Sequence, residues 1–138
     1  MKRFGSATML LVALAGAFLH AQTIKLRANI PFEFRIGNAV LPAGEYEVHH
    51  SADGILRIRD EAGNHSGVMA LTMSTSRPGN RDLGGLEFSR YDDTYFLSKV
   101  WSPYSNAGRY LPKTSGEKEL VSRAKLVETA RVSFRNTK

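Results

Sequence analysis

The chain of 138 residues predicts an all-β domain, an antiparallel β-sandwich or small barrel with one C-terminal amphipathic helix. Three observations carry this. Short runs of alternating apolar and polar residues recur about every ten residues, each bounded by turn chemistry. The chain has no cysteine, so an apolar core must hold the fold without disulfides. The hydrophobic period becomes helical only between Gly116 and about Ala130.

Residues 1–21 stand apart from the domain. Lys2 and Arg3 precede an uncharged apolar run, Ala7 to Leu19, and "LHA" ends at Ala21. A basic start, a short apolar run and a small residue at the end make a secretory signal peptide. The run is short for a membrane span, and no later segment is apolar enough to be one, so no integral membrane protein is expected after cleavage. Residues 22–138 are then one exported domain, periplasmic or secreted. Its length suits a single core.

The elements follow in order. In "TIKLRANI" Ile24, Leu26, Ala28 and Ile30 share one face, and Pro31 interrupts the ladder. Phe32, Phe34 and Ile36 form the next core stripe. Gly37-Asn38 and Pro42-Ala43-Gly44 turn the chain before Tyr46, Val48 and His50 resume the alternation. Asp53-Gly54 is a hairpin signal leading into "ILRIRD", with Leu56 and Ile58 on its core face. Gly63-Asn64 leads into "GVMALTMSTS", apolar on both faces and so expected to be a central strand. Arg77 to Gly85 is polar and glycine-rich, a loop. "LEFSRY" and "TYFLSKVW" flank Asp92-Asp93 as a further hairpin, and Ser102 to Gly108 is irregular. Thr114 and Glu117 have capping-box spacing, and Leu120, Ala124 and Val127 mark the apolar stripe of the helix expected over 116–130, with "RVSF" (131–134) either extending it or forming a short final strand.

Charge and motifs exclude more than they assign. The formal charge of +6 falls to about +4 without Lys2 and Arg3, and the cations are dispersed. Nucleic-acid binding would need a clustered basic stripe, so none is expected. The domain histidines are His49, His50 and His65; His49 and His50 are adjacent on a strand, so they face opposite sides and do not chelate one ion. Glu87, Asp92 and Asp93 are the carboxylates to weigh for glycoside chemistry, but Asp92-Asp93 occupies a turn where Asp is a common residue. No Gly-x-Ser-x-Gly elbow is present. No catalytic residue, metal ligand or cofactor is assigned. The most suggestive cluster is aromatic, as binding surfaces often are. Trp101, Tyr104 and Tyr95, with Arg90, Asn106 and Arg109 as polar partners, are the candidate binding residues.

"ANIPFEFRIGNAVLPAGEYEV" (28–48), "RYDDTYFLSKVW" (90–101) and "GRYLPKTSGEKEL" (108–120) together resemble a family of small exported β-rich proteins of unknown function found in acidobacteria and similar soil bacteria. The resemblance implies export and a β-rich domain, and carries over no catalytic residue. The "LPAGEYEV" element is also similar to a Pro-x-Gly-x-Tyr-x-Val hairpin of extracellular β-sandwiches, where it is structural.

The expected function is a non-enzymatic binding or structural protein of the cell envelope or exterior, its partner a polysaccharide or a protein. Two alternatives stand beside it. One is a small-ligand carrier with a barrel cavity closed at one end by the 116–130 helix. The other is a small hydrolase with His50 or His65 as base.

Overall fold

The computed structural model describes residues 26–62, 67–78 and 83–135. The expected signal peptide, the expected turn at Gly63-Asn64, His65 and the middle of the expected Arg77–Gly85 loop lie outside them.

Two antiparallel sheets face each other without closing into a barrel. The first holds β1 (Leu26–Ile30), β4 (Gly44–His50), β5 (Ile55–Asp60) and β6 (Val68–Leu71), in the order β1-β4-β5-β6. The second runs β11-β8-β9-β10-β7, from β7 (Met73–Ser76), β8 (Gly85–Tyr91), β9 (Thr94–Trp101), β10 (Ala107–Tyr110) and β11 (Val127–Ser133). The β2 (Phe34–Ile36) and β3 (Ala39–Leu41) hairpin joins β9 through one parallel pair, Arg35 with Phe96.

The core lies where alternation put it. Ile30, Val48 and Ile58 from the first sheet meet Phe34, Leu86, Phe88 and Val100 from the second, all fully buried. Phe34 stands edge-on to both Tyr46 and Phe88, with centroids 5.1 and 5.5 Å away. The "LPAGEYEV" element is structural: the buried Tyr46 hydroxyl donates to the Pro42 carbonyl at 2.6 Å. Asp53-Gly54 forms its hairpin, with Gly54 at φ +86°, a conformation that favours glycine. On the outer face of the first sheet, Glu47 lies between His49 at 2.6 Å and Arg59 at 3.6 Å, while His50 is exposed at the strand end.

Two elements differ from expectation. "GVMALTMSTS" is not a central strand. It breaks at Thr72 into β6 and β7, which are the edges of different sheets. The sheet change explains the pattern, because residues on either side of Thr72 belong to differently oriented ladders. Val68 and Ala70 point inward, whereas Met69, Leu71 and Met73 are exposed.

The helix is shorter than 116–130. α1 spans Ser115–Arg123, and its Thr114 cap accepts from Glu117 N. Ala124 is extended, and the chain continues as β11, paired with β8 from Val127–Tyr91 to Ser133–Gly85. Asp92, at φ +54° in the β8–β9 turn, holds the junction. Its Oδ1 accepts from Lys125 N and Leu126 N, and its own N–H donates to the Leu126 carbonyl. Seven strand pairs and this clasp outweigh a helical periodicity that local sequence alone would favour.

Candidate functional site

The sequence-derived aromatic cluster does not assemble into one site. Trp101 is only 7% exposed. Its ring lies over Gly108, where any Cβ would fall 2.4 Å from a ring carbon, and its Nε1–H donates to Glu87 Oε2 at 3.0 Å. The Arg77 guanidinium covers the ring at 4.6 Å. Trp101 is therefore packed rather than presented.

Arg109 faces the other way. It donates to the Thr72 hydroxyl and carbonyl, each at 2.9 Å, and to Ser74 Oγ at 2.6 Å, tying β10 to the point where the chain changes sheets. Tyr95 stacks on Phe32 at 3.8 Å at the edge of the core, and Arg90 lies 5.4 Å over the Tyr95 ring while donating to the Asp92 carbonyl. Tyr104, 65% exposed with φ +52°, and Asn106 sit in the β9–β10 connection. Within the six residues, Arg90 and Tyr95 touch.

A different concavity carries site chemistry. Where β10 leaves β9 and the β2–β3 hairpin takes its place, a slot of about 470 Å³ opens beside β6. All four residues of β6 form one wall. Gly37 to Ala39 and the start of α1 form the other, and Phe96, Leu97 and Leu111 lie between them. Ligand pockets are concave, mostly apolar and fitted with few polar groups, and this slot has that composition.

Its one ionisable lining residue is Glu117, 5% exposed. Burial pushes the Glu117 carboxyl above the ordinary value of 4.5, opposed by the hydrogen bond from Tyr91 and by Lys113. The Tyr91 hydroxyl donates to Glu117 Oε1 at 2.9 Å. Burial, then this carboxylate, pushes the Tyr91 phenol up in turn. Glu117 thus pins α1 over the second face of the large sheet. Tyr91 and Phe96 are buried there, outside the main core.

Sequence reasoning missed both halves of this site. Thr114 and Glu117 read as a reciprocal capping box. The Thr114 half forms, with Glu117 N donating to Thr114 Oγ1 at 3.2 Å, but the carboxylate turns to Tyr91. The other half carried a legible signal: "VMAL" has no charge, whereas exposed edge strands usually carry one.

Among the described residues no group of three or more His, Asp or Glu is placed to hold a metal, and no helix is long and apolar enough to cross a membrane. No protein-family model matches the chain, and neither does any curated protein or solved structure.

Proposed function

We propose that this is an exported, non-enzymatic binding protein of the cell envelope or exterior, and that its ligand enters the slot beside β6. The slot carries the reading: an open, largely apolar recess next to exposed Met69, Leu71 and Val40. Exposed apolar surface gathered around a concavity marks an interaction site. The export part rests on the basic, apolar and small-residue pattern of residues 1–21.

The carrier reading survives in altered form. No closed barrel is present, so a small apolar ligand would occupy the slot rather than a barrel interior. A volume of about 470 Å³ falls within the usual range for such ligands.

Ala70→Phe tests the site, since Ala70 lines the slot from a half-buried position. A thermal-shift screen against sugars, lipids, peptides and common metabolites comes first, because a ligand at about 100 times its Kd stabilises a fold by about 2.7 kcal/mol. A hit abolished by Ala70→Phe and unaffected by Tyr104→Ala supports the slot. A hit that tolerates Ala70→Phe but is lost with Tyr104→Ala moves the site to the β9–β10 connection.

A further inference from the structure

The slot differs from an ordinary apolar pocket because one of its walls is an unpaired sheet edge. Among the described residues β6 pairs only with β5, from Ile55–Leu71 to Ile58–Val68. Thr72 N–H donates to the Gly54 carbonyl at 2.9 Å, which makes Gly54 and Thr72 a hydrogen-bonded pair. Alternation along an antiparallel ladder then directs the N–H and C=O of Ala70 and Val68 toward β5. Those of Met69 and Leu71 point the opposite way. This edge carries no charged side chain, proline or bulge, the usual protections against added strands.

The geometry points to an extended polypeptide as the occupant: one strand of a partner protein, added to the free edge of β6, with apolar side chains at alternate positions filling the slot. This rests on the slot being the binding site and names its ligand class. A main chain matches the spacing of a row of outward N–H and C=O groups, and strand addition to an open edge is an established mode of peptide recognition. The inward positions of that strand lie beside Val68 and Ala70 and above Leu97 and Leu111, so they must be apolar. A second copy of this chain fits poorly, because its β6 arrives with β5 alongside. Gly37 to Ala39 and the start of α1, which line the slot across from β6, bound the room beside it.

The test uses a phage-displayed library of random dodecapeptides selected on the immobilised protein. Enrichment of sequences alternating apolar and polar residues is expected. Synthetic copies should slow amide exchange at Met69 and Leu71. Leu71→Pro deletes an outward N–H while leaving the β5 ladder whole, as proline is tolerated on the open side of an edge strand. It should weaken the selected peptides about tenfold or more with little change in circular dichroism or Tm.

Peptides that bind Leu71→Pro unchanged but are lost with Ala70→Phe would overturn strand pairing and leave the slot as the site. Peptides indifferent to both variants would remove both readings. A selection without enrichment, or a dimer that Leu71→Pro dissolves, would overturn the foreign strand.

Discussion

Phe34 and Glu117 show how differently two buried side chains act. Phe34 is fully buried between rings from β4 and β8, and truncation leaves a cavity that β2, paired with both β3 and β9, has little freedom to close. Phe34→Ala should therefore cost about 3–5 kcal/mol in urea denaturation; a loss under about 1 kcal/mol would mean the site collapses freely. Glu117 is buried as an acid whose pKa is raised on folding. A raised folded-state pKa means the native state binds more protons than the unfolded state between the two values. The contribution of Glu117 is thus fully present below the unfolded value and is lost as pH rises through the folded one. Glu117→Gln keeps an acceptor for Tyr91 and removes that titration. Its stability relative to the parent should increase from pH 4 toward neutrality, measured by denaturation at a series of pH values. A difference that stays flat with pH would show that the carboxyl is not desolvated.

At the scale of elements, the helix-to-strand junction depends on one turn residue. Asp92 holds positive φ and offers the carboxylate that fixes Lys125 and Leu126 before β11 begins. Asn tolerates the same backbone and keeps an acceptor, whereas Ala does neither well. Asp92→Ala should cost about 1–2 kcal/mol and Asp92→Asn only a fraction of that. Amide exchange across Val127–Ser133 should quicken in the Ala variant alone. Equal effects of the two substitutions would reduce the clasp to ordinary turn chemistry. α1 needs this anchor, because nine residues form a marginal helix in isolation. Packing over Tyr91 and the Thr114 cap supply the rest.

For the whole molecule, the sheets are joined on one side by the chain itself at Thr72. The buried Thr72 hydroxyl donates to the Gly54 carbonyl at 2.6 Å and accepts from Arg109. Arg109 therefore links β10, the sheet change and the β4–β5 turn. Arg109→Ala removes three hydrogen bonds and leaves the Thr72 carbonyl without its cation, at a cost of about 1–3 kcal/mol by chemical denaturation. Arg109→Lys cannot reproduce the fork and should recover only part. Full recovery would mean that charge alone matters there. On the opposite side, Arg135 N bonds the Arg27 carbonyl at 2.8 Å and Phe134 seals the core, which shields β1. Among the described residues, the shielding of one edge leaves β6 as the sheet's available one.

Much of this architecture was legible in the residues. Alternation in Leu26–Ile30, Phe34–Ile36 and Leu56–Ile58 named the core face correctly, because a side-chain period of two is a local property of any strand. Gly54 and Asp92 marked real turns for an equally local reason, their tolerance of positive φ. The division of Val68–Ser76 between two sheets was not legible. Neither was the conversion of 127–130 from helix to strand, nor the turn of Glu117 away from its cap. Each depends on a partner distant in sequence: Gly54 and Arg109 for Thr72, β8 for β11, Tyr91 for Glu117. The candidate site belongs to the same class. Trp101 read as a binding residue from its place before an irregular segment, yet Gly108 and Arg77 pack against its ring. "VMAL" looked central because it is apolar, yet it is an open edge. By itself the sequence determined a cysteine-free β domain with its strand faces and turns, since those follow from residue type and spacing. Only the tertiary structure decided which edge stays unpaired and what lies beside it, since an edge is defined by the strand that is missing.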